Sequence, residues 1–302
     1  VWIVLIAFSA LCLGIYDIFQ KIALKDNALI PVLFLAITSS SLILTPVFLL
    51  STFSPESLVH TPFYVPPADF KTHVYIFLKA LLVLGSWIFA YAGMKHLPLT
   101  IVTPIKSTQP IWTVTGAMLI FSERLNLYQT IGVIVTLVSF YLFSLVGKKE
   151  GVSFRTNKWV WFVVFGVLFG AASGLYDKYL LNKLQLDRMT VQVFFSYYQV
   201  LIMGVVLLTL WYPQRKKSTP FTWKWSIVLI SIFLIASDFL YFYALSLPDA
   251  LIAVISPLRR TGLVVAFFYG AFFFKERNLK AKLFCLAGLL IGVYFLFLGS
   301  IE

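Results

Sequence analysis

Six charged side chains lie inside long apolar runs, where a charge is hardest to keep. They are Asp17, Lys106, Asp177, Asp238, Arg259 and Arg260. A charged residue at the centre of a bilayer costs roughly 2.5–3.5 kcal/mol on insertion scales. Lys106, Arg259 and Arg260 facing lipid together would cost on the order of 8–10 kcal/mol, comparable with the whole stability of a typical protein. They must face a wet cavity or pair inside the fold. Arginine offers a planar fork that matches a carboxylate or phosphate, and lysine offers a point charge. The chemistry these residues suggest is recognition of an anionic group. No nucleophile–base–acid set is present, so the chain does not read as an enzyme. His60, His73 and His96 show no metal-ligand spacing, and no cofactor or metal is expected.

The three acids balance the three bases, which leaves two readings open. In one, a cavity binds an anion through Lys106, Arg259 and Arg260, with Asp238 holding one arginine in place. In the other, the same charges form buried pairs that only hold helices together. Tyr16-Asp17 and Tyr176-Asp177 line the cavity, form a proton-titrating pair, or sit near helix ends at the membrane interface. Lys79 and Lys178 lie within a turn or two of a span end and are expected to snorkel to the interface.

The elements that must position these residues follow from composition. The 302-residue chain is 60% hydrophobic and only 12% charged. Soluble domains carry about 25% charged residues. The chain is therefore an integral membrane protein, and not a soluble enzyme, a nucleic-acid binder or a disordered chain. Its net charge of +12 does not point to nucleic acid, because the basic residues cluster between apolar stretches. Ten spans are expected, near 1–22, 30–51, 74–94, 99–121, 127–147, 159–181, 190–212, 225–247, 250–274 and 282–299. They are twice the length of barrel strands and do not alternate, so they are helices. The first runs on to about Leu24 without a small-residue cleavage site and reads as a span, not a leader. Cys12 and Cys285 lie inside spans as small core residues. Between spans 2 and 3, Pro55, Pro62, Pro66 and Pro67 exclude a helix from a loop that is either ordered or flexible.

An internal repeat divides the chain into 1–150 and 151–302. Gly14-Ile15-Tyr16-Asp17 recurs as Gly174-Leu175-Tyr176-Asp177. Pro104-Ile105-Lys106 recurs as Pro257-Leu258-Arg259, and Glu123-Arg124 as Glu276-Arg277. Lys106 and Arg259 are thus equivalent, each two residues after a proline. Five spans in each half turn the second half upside down relative to the first, the inverted-repeat plan of many secondary transporters. Gly166, Gly170 and Gly174 repeat at every fourth position, which suits close helix packing.

With five-plus-five helices, Gly14 followed by Lys21 after six intervening residues, and Glu-Arg at the ends of spans 4 and 9, the chain resembles the EamA-type branch of the drug/metabolite transporter superfamily. That resemblance implies a central cavity lined by helices 1–4 and 6–9. The basic residues of spans 4 and 9 resemble the triose-phosphate/phosphate translocator branch, where a lysine and a basic pair hold the substrate phosphate; the matching positions are Lys106, Arg259 and Arg260. The implied function is secondary transport of a small organic metabolite with an anionic group, by alternating access at a midplane cavity. The alternative is an exporter of amino acids or of neutral or cationic compounds. The absence of a nucleotide-binding motif from this sequence leaves an ion gradient, a counter-substrate or the substrate's own gradient as the energy source.

Expected surroundings are the lipid bilayer of the cell inner (plasma) membrane, crossed many times by a monomer or dimer. Loops after odd-numbered spans carry fifteen Lys and Arg against four after even-numbered spans. The positive-inside rule then places the odd loops in the cytoplasm and both termini outside.

Overall fold

The computed structural model of the chain describes residues 1–96, 105–106, 108–145, 157–216, 219–262, 265 and 279–299. These residues are helical, with no strand among them. In chain order the α-helices are α1 (Trp2–Leu24), α2 (Leu29–Phe53), α3 (Phe70–His96), α4 (Gln109–Phe121), α5 (Leu127–Leu145), α6 (Lys158–Lys178), α7 (Arg188–Val206), α8 (Ser226–Ser246), α9 (Ile252–Arg260) and α10 (Leu279–Leu298). Among the described residues, six helices are long and apolar enough to cross a membrane. Two of them gain length at their ends. A π-helical turn at Tyr179–Lys183 extends α6, and another at Leu207–Trp211 extends α7. Pro104, Glu276, Arg277 and most of the expected second half of span 9 lie outside the described residues.

The helices form for local reasons that suit an apolar solvent. Hydroxyls inside them return to their own backbone: Thr38 Oγ1 donates to Phe34 O at 2.8 Å, and Thr45 Oγ1 to Ser41 O at 2.8 Å. This satisfies a polar group where no water is available. Starts are capped where loops reach them. Asp187 accepts from Thr190 N at 2.8 Å at the head of α7, and Asn157 from Trp159 N at 3.0 Å at the head of α6.

Packing follows a pattern. α1 lies along α8, α3 along α6, and α5 along α10. α2 meets α7 and α4 meets α9, while α3–α7 is matched by α2–α8, and α4–α6 by α1–α9. Advancing every helix number by five maps this set of contacts onto itself.

Small residues permit the closest crossings. A Cβ on Gly166 would stand 2.9 Å from Ala90 N, so α6 meets α3 backbone to backbone there. A Cβ on Gly170 would meet only side chains, nearest the Gln109 amide at 2.8 Å, and at Gly174 the nearest atom is 3.9 Å away. Only the first of the three spaced glycines is therefore required by backbone-to-backbone contact.

One end of the bundle is filled by a large apolar cluster. It gathers Ile6 from α1, Ile76 from α3, Ala117 from α4, Val191 from α7, Leu245 from α8 and Ile255 from α9. The proline-rich segment between α2 and α3 is ordered against the bundle. Val65 is buried and donates its N–H to Ser51 Oγ at 3.0 Å. Thr190 Oγ1 donates to Pro66 O at 3.2 Å, and the Phe63 ring stacks on Phe239 at 5.2 Å.

Candidate functional site: a charged cavity inside the bundle

A cavity of about 340 Å³ lies among α1, α3, α4, α6, α7, α8 and α9. Tyr241, Phe242, Phe195 and Ile252 belong both to its lining and to the apolar cluster, so that cluster forms its floor. Seven of the eight residues singled out in the sequence line it: Tyr16, Asp17, Lys106, Asp177, Asp238, Arg259 and Arg260. The eighth, Tyr176, does not. Its hydroxyl donates to Tyr75 O at 3.3 Å, and its ring stacks on Tyr179. Neighbours on a helix point about 100° apart, which carries Tyr176 away from the cavity that Asp177 faces.

The charges fall into two groups. Those nearer the floor are paired. Lys79 Nζ pairs with Asp177 Oδ1, both side chains buried. The Lys79 ammonium also lies 4.4 Å from the Phe195 ring centroid and 4.6 Å from that of Phe242. Tyr241 OH donates to the other Asp177 oxygen at 3.3 Å. Arg259 Nη2 pairs with Asp238 Oδ1, and its guanidinium lies 4.1 Å from the Tyr241 centroid. Tyr241 thus joins the two pairs into one network. Within it, Arg259 Nε is buried and has no hydrogen-bond partner among the described residues.

Below the cavity a third pair closes the floor. Lys178 Nζ pairs with Glu123 Oε1 and donates to Ala250 O at 2.9 Å. Glu123 also accepts from Ile252 N and Ala253 N, each at 2.9 Å, so it caps the start of α9. Lys79 and Lys178 do not snorkel as expected. Both are buried, because each meets a carboxylate remote in sequence, Asp177 on α6 for Lys79 and Glu123 in the connection between α4 and α5 for Lys178.

The second group remains available. Lys106 and Arg260 are exposed although they line the cavity, so the cavity reaches solvent. Arg260 Nη2 donates to Gln109 Oε1 at 2.7 Å. Among the described residues, Lys106 has no ion pair or hydrogen bond, and neither has Asp17, which is half-buried. Asp17 lies within electrostatic reach of both cations. Neutral polar groups, including Ser86, Ser173 and Gln199, fill in the walls beside Trp87.

The basic residues sit on two matching turns. Thr108 donates to Ile105 O through both its N–H, at 3.1 Å, and its hydroxyl, at 2.7 Å. Thr261 does the same to Leu258 O, at 3.0 and 2.7 Å. Lys106 lies inside the first turn, and Arg259 and Arg260 inside the second. Regular α-helix stops at each, with Pro110 opening α4 just after the first turn. Sequence reasoning missed these threonines and also Lys79, Gln109 and Tyr241. The threonines carried a readable signal, since they stand 153 residues apart, the same offset as Lys106 and Arg259.

Apolar helices long enough to span a bilayer, wrapped around a wet charged cavity, define a multi-pass membrane protein built to handle a small solute. The chain belongs to the EamA-like transporter family, whose model matches residues 1–145 and 157–298. That is a family of membrane transporters of small molecules and not of enzymes. A solved crystal structure aligns over 97% of this chain and 96% of its own at a TM-score of 0.71 and 13% identity, a likeness of fold alone. No curated protein sequence matches the chain.

Proposed function

We propose that the protein is a secondary transporter of a small organic metabolite bearing an anionic group, carried through the cavity by alternating access. The observation that carries this reading is the pair of cations left over: Lys106 and Arg260 line the cavity, are exposed within it, and lack a carboxylate partner among the described residues. Arg259 serves the site indirectly, since Asp238 already neutralises it. The gathering of Lys106, Arg259 and Arg260 at one cavity supports the likeness to the triose-phosphate/phosphate translocator branch. The two halves, 1–150 and 151–302, act as inverted repeats in this reading. Support comes from helix contacts that repeat after five helices and from the matched threonine turns, since transporter sites are typically built where spanning helices break.

Thermal stabilisation of the detergent-purified protein by a panel of small carboxylates, phosphate monoesters, amino acids and amines tests the substrate class. Stabilisation by the anions and not the amines is expected; stabilisation by amines alone overturns the reading. Asp17, which lines the same cavity as the two cations, favours the alternative of an amino acid, and amino acids outperforming both groups would select it. In the plasma membrane the basic loops face the cytoplasm, and so does the open side of the cavity. Lys216→Cys in intact cells should resist an impermeant thiol reagent, and efficient labelling would reverse the orientation.

A further inference from the structure

Three carboxylates line the cavity, and two of them are committed. Asp177 is held by Lys79 and Tyr241, and Asp238 by Arg259. The third, Asp17, has neither an ion pair nor a hydrogen bond among the described residues, yet it lines the same cavity as the two cations that also lack a carboxylate partner. The titratable and charged groups that line the cavity with it are Lys106 before α4, Arg259 and Arg260 on α9, Asp238 and Tyr241 on α8, Asp177 on α6, Lys79 on α3, and its own neighbour Tyr16. Among the described lining acids, Asp17 alone is not spoken for, and its charge offsets part of the field of Lys106 and Arg260. An anion entering between those cations takes over that role. It also places a second negative charge near Asp17 in a membrane interior, where like charges repel strongly.

We propose that Asp17 is the exchangeable counter-ion of the Lys106–Arg260 site and takes up one proton from water as an anion binds, so that anion and proton load together. The proton ends on the Asp17 carboxylate and no other bond is made or broken. The consequence is coupling: a proton gradient drives the anion in the direction protons flow. This rests on the reading that the cavity binds an anion, and the test separates the two.

The probes are sulfate, lactate and succinate at pH above 7, where none of them releases or binds a proton itself. Each is added to purified protein in weakly buffered detergent solution, with binding followed by calorimetry and proton movement by a pH indicator. The wild-type protein is expected to take up about one proton per anion, with Kd rising toward about tenfold per pH unit as pH increases. Asp17→Asn should bind the anion with no proton uptake and a Kd independent of pH, while Asp17→Glu retains both uptake and pH dependence. Binding by the wild type with no proton uptake overturns the role of Asp17 and leaves the anion site standing. So does uptake in Asp17→Asn equal to wild type. Binding of none of the three probes by the wild type removes the anion reading and this proposal with it. If Asp17→Asn does not fold, the absence of uptake by the wild type still overturns the proposal.

Discussion

At the end of the bundle where α4 finishes and α9 begins, Glu123 holds Lys178 and two backbone N–H groups, above an apolar cluster drawn from most of the helices. At the opposite end, the turn after α1 meets the segment before α8. There Asn27 Nδ2 donates to Thr222 O at 2.7 Å, Thr222 N donates back to Asn27 Oδ1 at 2.8 Å, and Lys224 Nζ reaches Lys25 O at 2.6 Å. The first end is closed by burial and by charges that depend on each other. The second has an apolar cluster of its own, with Ala23, Val32 and Ile227 buried, and its polar contacts are hydrogen bonds to a buried Asn27 and to backbone carbonyls, with no ion pair among the described residues. Removing one partner of a buried ion pair strands a charge, whereas breaking a neutral hydrogen bond strands only a dipole, which costs less. The cations that lack a carboxylate partner lie on the side of the cavity away from the dry end. A bundle built this way has a strong seal and a weaker clasp, and under the proposed alternating access the clasp is the end expected to part.

The largest expected effect tests the seal. Glu123→Gln should lose about 3–5 kcal/mol of stability, because Lys178 is left buried and unpaired. Glu123→Gln/Lys178→Met should recover much of that loss. Thermal unfolding in detergent measures both, and a loss below about 1 kcal/mol for the single variant would break the contrast between the ends.

Next comes the cavity wall. Arg260→Gln should weaken binding of a stabilising anion by roughly 10- to 100-fold, the worth of one charge-assisted hydrogen bond. Its stability in the absence of ligand should stay within about 0.5 kcal/mol of wild type. A variant that unfolds instead would place Arg260 with the structural pairs.

At the clasp, Asn27→Ala should cost about 1–2 kcal/mol, well below the Glu123 variant. Equal costs would mean that the two ends are sealed alike. The smallest effect is expected at Gly170→Ala. The added methyl meets chiefly the flexible end of Gln109, so unfolding should hardly change. Because Gln109 orients Arg260, anion affinity should drop a few-fold; unaltered affinity would detach Gln109 from the site.

Much of this architecture is legible in the sequence. Apolar runs separated by short polar turns announce helices, and the penalty for a charge in lipid is enough by itself to send Lys106, Arg259 and Asp238 inward. What failed was partner and facing. Lys79 and Lys178 lie near span ends, where a free lysine would reach for water, but Asp177 and Glu123 meet them from 98 and 55 residues away. Distance along the chain to a span end says nothing about which side of the helix a residue occupies. Tyr176 failed for the opposite reason, since adjacency to Asp177 in sequence is divergence in space. The loop between α2 and α3 gave no periodic signal, and its order comes from aromatic stacking and backbone hydrogen bonds to remote helices.

The threonine turns bear on how fast the molecule can move. A break inside a spanning helix ordinarily exposes carbonyls that cost several kcal/mol each without a partner in a bilayer. At Thr108 and Thr261 the hydroxyl and N–H of one residue both fold onto the same carbonyl three residues back, so each joint carries its own donors. At the second joint α1 crosses backbone to backbone, since a Cβ on Gly262 would run into Ala10 O, so that joint moves only together with α1. Under the proposed alternating access, rotation about a few backbone bonds at these turns would re-aim Lys106 and Arg260 on the microsecond-to-millisecond timescale of hinge movements.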